Sequence, residues 1–231
     1  MNVIIDRERL RRRAAVSHVA SLGGILLILA SVGLSMWRPQ LTTLTAVMLF
    51  AGFATSTIGI FYANRWVKRP RPEEILDRAL KGLDNRHRLY HYLPRGPDHL
   101  LLTPSGLVVF ETRSEEGYFE FKDGRWHQKI TLGKALRFFV EESLGDPIAD
   151  ARREITRLAR ALEDRAPSLG SIPAASIVVF THPNATLVSK GNPIPIVQPK
   201  HLSKALPKNQ PALRPEAYAA LCTAFDDGGP G

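Results

Sequence analysis

The sequence predicts a mixed α/β protein of the α+β kind: an N-terminal transmembrane helical hairpin followed by a mixed β-sheet flanked by helices. Three observations carry that expectation. Two apolar stretches of membrane-spanning length lie back to back before residue 66. Beyond residue 72, stretches of helical periodicity alternate with short, continuous apolar runs, the pattern of a sheet covered by helices. The single cysteine, Cys222, has no partner for an internal disulfide, which excludes a stapled secreted scaffold and favours a reducing compartment. It reads as a small apolar filler in the last helix.

Ala14 to Trp37 is apolar or small throughout, with His18 as its ionisable side chain, and meets the roughly 20 residues a spanning helix needs. Arg38-Pro39-Gln40 breaks the run. Leu41 to Tyr62 repeats it without a charge, and its small residues Ala51, Gly52, Ala54, Ser56 and Gly59 allow two helices to approach closely. The formal net charge of +9 would suggest an acidic partner, but its placement matters more than its size. Arg7, Arg9, Arg11, Arg12 and Arg13 precede the first span, and Arg65, Lys68, Arg69 and Arg71 follow the second, while the connecting loop holds only Arg38. That asymmetry places both termini and the following domain in the cytoplasm, in a multi-pass protein of the cell membrane. Trp37, Tyr62 and Trp66 suit the interfacial aromatic belts.

The expected organisation is a basic N-terminus with two transmembrane helices over 1–66 (about 14–37 and 41–62), a basic, proline-rich linker over 67–72, a domain over 73–225 and a flexible acidic, Gly-rich tail from Asp226. The linker should run extended and rest on anionic lipid headgroups. Glu73 to Leu83 reads as a helix with Ile75, Leu76, Ala79, Leu80 and Leu83 on one face, and Arg88 to Tyr92 as a strand. Asp98 to Arg113 contains two strand-like runs separated by Pro104-Ser105-Gly106, a hairpin of buried strands. Tyr118 to Ile130 reads as a second hairpin turning at Asp123-Gly124. Asp146 is an N-cap with Pro147 at the first helical position of a helix reaching about Asp164. Ala175 to Phe180 and Ile194 to Val197 read as strands, and closing helices start near Lys200 and Pro215.

Within the first hairpin, pairing symmetric about Pro104-Ser105 sets Asp98 opposite Glu111, and the period of two puts Arg113 on the same face as Glu111. Opposed carboxylates destabilise a sheet unless a cation lies between them. Two carboxylates with a carbonyl and waters suit Mg²⁺ or Mn²⁺; the plainer alternative is a solvated Asp at a strand entrance and a Glu–Arg pair at a strand exit.

The order of a helix with Glu74, a strand, Pro97-Asp98-His99-Leu100-Leu101-Leu102-Thr103-Pro104-Ser105-Gly106-Leu107-Val108-Val109-Phe110-Glu111-Thr112-Arg113, then Asp146-Pro147-Ile148-Ala149-Asp150 leading a helix and Ser176-Ile177-Val178-Val179-Phe180 in a late strand resembles the nuclease-related domain, the NERD family, over roughly Glu73 to Leu206. The resemblance implies a restriction-endonuclease-like, PD-(D/E)xK fold and a metal-dependent nuclease ancestry. Asp98 and Glu111 match the catalytic and metal-binding carboxylates, Arg113 stands at the third catalytic position, and Glu74 matches the helix carboxylate. Asp150 reads either as a further carboxylate supporting the site or as helix-surface charge, and His99 either as a contact to the scissile phosphate of a nucleic acid or as an ordinary strand histidine. Two positions depart from the family pattern: Arg113 stands where Lys is usual, and Asp146-Pro147-Ile148-Ala149-Asp150 where Asn-Pro-x-x-Gln is often found. An arginine stays protonated and cannot serve as a base. Two expectations follow: an anchored domain that binds or cleaves DNA or RNA through Mg²⁺ or Mn²⁺, or a degenerate domain kept as an interaction module at the membrane. Oligomeric state is open.

Overall fold

The computed structural model describes residues 1–67, 69–122, 125–128, 145–189, 191–208 and 210–226. The expected turn at Asp123-Gly124, the hairpin's end at Ile130, Lys68 of the second basic cluster and the tail beyond Asp226 lie outside the described residues. The chain divides into two units, one holding Arg7–Arg71 and the other Met1–Asp6 with the described residues from Pro72 onward.

The first unit is a helical hairpin. Helix α1 (Arg7–Trp37) and helix α2 (Thr42–Trp66) are joined by a 3-10 turn at Pro39–Leu41, and both are long and apolar enough to cross a membrane. Leu10, Ser17, Gly24 and Ser31 are buried on α1 at seven-residue spacing, and Thr45, Gly52 and Gly59 recur on α2 at the same interval. That period is the seam of two helices packed side by side. Small side chains let the backbones touch: a Cβ added at Gly52 would lie 2.9 Å from the Gly24 carbonyl oxygen, and one at Gly59 would fall on the Ser21 backbone nitrogen. The Ser31 hydroxyl donates across the pair to the Thr45 carbonyl at 2.8 Å, and the Arg13 guanidinium stacks 4.2 Å from the Trp66 ring centroid. Large apolar side chains point outward instead, among them Val19, Leu26, Phe50 and Phe53. Of the small residues named from sequence, Gly52, Ser56 and Gly59 line the seam, whereas Ala51 and Ala54 face out.

The second unit is built on a six-stranded mixed sheet in the order β1-β2-β3-β4-β7-β9. Its strands are β1 (Asn2–Ile5), β2 (Arg88–His91), β3 (His99–Thr103), β4 (Gly106–Arg113), β7 (Ala174–Phe180) and β9 (Ile196–Val197). A smaller sheet orders β6 (Arg125–Gln128), β5 (Gly117–Lys122) and β8 (Ala185–Ser189), with β5 and β6 antiparallel as the second hairpin predicts. β1 pairs parallel to β2, β2-β3-β4 form an antiparallel meander, and β7 and β9 add in parallel. The expected mixed sheet with flanking helices is therefore present.

Alternation along the central strands separates two cores. Leu89, Leu101, Val108 and Phe110 face Leu76 and Leu80 of the α3 segment (helix α3, Pro72–Ala79, with the turn that follows it). Tyr90, Leu100, Leu102, Leu107 and Val109 face Leu158 of α4 (Pro147–Arg165) and Leu221 and Phe225 of α6 (Pro215–Asp226). A third cluster joins Phe119, Phe180, Val178, Ile148 and Ala151 between the small sheet and the start of α4. Two short features close the chain's last third, a 3-10 turn at Pro199–His201 and the single-turn helix α5 (Leu202–Ala205).

Several boundaries differ from expectation for identifiable reasons. α3 stops at Ala79, four residues early: the Leu83 N–H bonds the Leu80 carbonyl in a tightened turn beside Gly82, a poor helix former. β2 stops at His91 because Tyr92 takes a positive φ of 63° and turns its N–H onto the Asp98 carbonyl at 2.6 Å. Asp146 caps α4 as expected, its carboxylate accepting from Ile148 and Ala149 N–H. Gly106 is required where it stands: at φ 147° a Cβ would lie 2.5 Å from the Pro173 carbonyl oxygen. β8 is not anticipated from sequence, since Ala185–Ser189 carries no clean alternation. Nor is β1, because Asn2–Ile5 sits inside what reads as a basic leader to the first apolar helix.

Candidate acidic site between β4 and α4

The β3–β4 ladder pairs Leu102 with Leu107, Leu101 with Val108 and Leu100 with Val109. This is the register symmetric about Pro104-Ser105, and its paired residues end at Leu100 and Val109, short of Asp98 and Glu111. Parity along β4 assigns the face: Glu111 and Arg113 alternate with Val109 and Leu107, on the side of the sheet that α4 covers. Glu111 and Arg113 therefore share one face, while Asp98 lies just before β3 begins.

α4 brings its own charges onto that face. The Arg113 guanidinium, 9% exposed, hydrogen-bonds the Asp150 carboxylate from the first turn of α4. Its Nη2 also stands 3.4 Å from Glu111 Oε1, and its Nη1 3.8 Å from Glu115 Oε1. One planar cation thus serves carboxylates from β4, the loop after it and α4. Backbone bonds fix the base of this fork, since the Thr181 N–H and hydroxyl both donate to the Arg113 carbonyl, at 2.7 and 3.0 Å. Asp150 is shared, as Arg153 also pairs with it. One helical turn on, the buried Glu154 accepts the Asp98 backbone N–H at 3.3 Å and pairs with Arg157. On α4, Asp150 and Glu154 turn inward while Arg153 and Arg157 reach outward, each more than half exposed.

The remaining sequence candidates fall elsewhere. His99 alternates with Leu101 and so lies on the opposite face from Leu100, where it is buried with its Nδ1 2.8 Å from Nδ1 of His91. One imidazole donates there and the other accepts. His91 Nε2 in turn lies 3.1 Å from Asp77 on α3, and the Tyr92 hydroxyl donates to Glu73 at 2.6 Å. Glu74 also belongs to α3, the layer on that opposite face, and it is its neighbour Glu73 that is buried. Sequence reasoning missed Glu154, Glu115 and the Glu73–Asp77–His91 group. A signal for Glu154 existed, because it interrupts the apolar face Ile148, Ala151, Ile155, Leu158. No periodic signal marks Glu115.

A family model described as the nuclease-related domain matches residues 70–181. These residues form a NERD domain. No curated protein and no solved structure gives a significant match. NERD nuclease-like domains are generally dependent on divalent metal. Among the described residues no group of three or more His, Cys, Asp or Glu side chains is arranged to hold a metal. Beside Glu111 in this NERD domain stands a guanidinium, bonded to Asp150 and within ion-pair distance of Glu111 and Glu115. An ion and a guanidinium cannot share that space, and the arrangement does not fit a bound divalent cation.

Proposed function

We propose that this chain is a membrane-anchored NERD-domain protein whose acidic site is closed by its own arginine, and that the domain acts as an interaction module on the cytoplasmic face of the membrane without cleaving phosphodiesters. The observation that carries the reading is the Arg113 guanidinium set among Glu111, Glu115 and Asp150. A guanidinium neutralises opposed carboxylates as a metal would, with fixed fork geometry and no capacity to polarise a water or release a proton. The anchor is the hairpin, whose inward seam of small residues and outward large apolar surface suit a lipid surround. Basic flanks at both outer ends favour cytoplasmic termini, and Arg69 and Arg71 of the linker suit anionic headgroups, an attraction that salt weakens.

The test is calorimetric titration of the full chain in micelles with Mg²⁺ and Mn²⁺, with cleavage assays on labelled DNA and RNA. We expect neither metal binding nor cleavage from the native chain. A second reading, metal-dependent hydrolysis of DNA or RNA, is favoured by the β3–β4 register, symmetric about Pro104-Ser105, which if carried on would bring Asp98 opposite Glu111. Metal-dependent cleavage that Asp98→Ala abolishes would establish it and overturn the first. Cleavage gained only in Arg113→Lys would identify the arginine as the block and support the first.

A further inference from the structure

β1 precedes the first long apolar helix, yet it is a strand of the domain that follows the second. Asn2, Val3, Ile4 and Ile5 pair in parallel with Arg88, Leu89, Tyr90 and His91. The Asn2 N–H donates to the His87 carbonyl at 2.9 Å and the Asp6 N–H to the His91 carbonyl at 3.3 Å. Ile4 packs on the core around Tyr90, and Met1, just before the strand, on the core around Leu89. One residue, Asp6, separates this strand from α1, and the chain re-enters the same unit at Pro72.

We propose that β1 is a topological lock on membrane insertion. A strand cannot hydrogen-bond to a sheet across a bilayer, because its backbone groups find partners only where the sheet itself is. Residues 2–5 and the NERD domain therefore occupy one side, and the segment between them crosses an even number of times. This conclusion uses no charge rule. It rests on the two-span reading of the hairpin given above. A chain that inserts only one helix strands β1 on the far side and leaves the β2 edge as an open row of backbone donors and acceptors, a surface prone to wrong pairing. The sheet is complete only in correctly inserted chains, which couples insertion to folding of the domain.

The test uses the full chain in sealed inverted membrane vesicles, on a Cys222→Ser background, with a membrane-impermeant maleimide. Asn2→Cys, Gln40→Cys and Lys204→Cys are each placed at exposed positions. We expect Asn2→Cys and Lys204→Cys to label from one side and Gln40→Cys from the other. Gln40→Cys labelling together with Lys204→Cys would defeat the two-span reading itself. Asn2→Cys labelling from the side opposite Lys204→Cys would overturn the lock while leaving the membrane crossing intact. An Asn2→Cys/Arg88→Cys pair should oxidise within one chain and lose that crosslink on Ile4→Pro, which removes the N–H midway between those of Asn2 and Asp6. A crosslink formed between chains, or one insensitive to Ile4→Pro, would overturn the intrachain pairing.

Discussion

Replacing Arg113 with Gln removes the guanidinium shared by Glu111, Glu115 and Asp150 and leaves their charges gathered in a largely buried space. Breaking a buried ion pair from one side costs about 3–5 kcal/mol, so thermal unfolding of the domain in micelles should shift down by a large margin. Arg113→Lys keeps the charge but loses the planar fork, and its loss should be the smaller of the two. Equal unfolding temperatures for native and Arg113→Gln chains would show that the arginine does not bear on these carboxylates. At this scale the register of the β3–β4 hairpin and the shared face of Glu111 and Arg113 are legible in the sequence, because they follow from a hairpin's symmetry and the period of two. It did not reveal that Asp150 and Glu154 close over the same face. That depends on how α4 lies against β4, which no local spacing encodes.

Among the elements, the hairpin of α1 and α2 depends on the absence of side chains along its seam. Gly59→Leu puts a branched side chain where the Ser21 backbone stands, with no flexible neighbour to yield. We expect the two helices to separate, read as loss of a disulfide engineered across the seam in micelles; an unchanged crosslink would contradict the close packing. A Leu at outward-facing Ala54 should leave that crosslink intact. The heptad spacing of Ser17, Gly24 and Ser31 lies in the sequence but is masked there, because nearly every other position in the span is apolar and periodicity has no polar face to stand against. α4 was easier to read, since Asp146, Pro147 and a sharp apolar stripe mark its start and its face. α3 was read four residues too long because Leu80 and Leu83 keep the helical spacing after the helix itself has stopped.

For the whole molecule, anchoring makes the strongest demand on the chain's behaviour. The outward side chains of α1 and α2 are left exposed by the described residues, and leaving them in water is unfavourable in proportion to their area. The full chain should then stay with the membrane pellet after an alkaline carbonate wash and leave it only in detergent. Release by carbonate alone would reduce the hairpin to a surface attachment. The NERD domain adds a second demand, because its six-stranded sheet takes one edge from residues 2–5 and the rest from residues after 88.

From sequence alone came the apolar hairpin, most of the strand and helix order of the domain, the cap of α4 and the register of the β3–β4 hairpin, since each is written in spacings of a few residues. Tertiary structure decided the rest. Asn2 finds Arg88 across the whole hairpin, Arg113 finds Asp150 across a loop and a small sheet, and His99 turns to His91 on the far face. Such pairings bring distant segments together through packing of whole layers, so the residues involved carry no local mark of the partner they will meet.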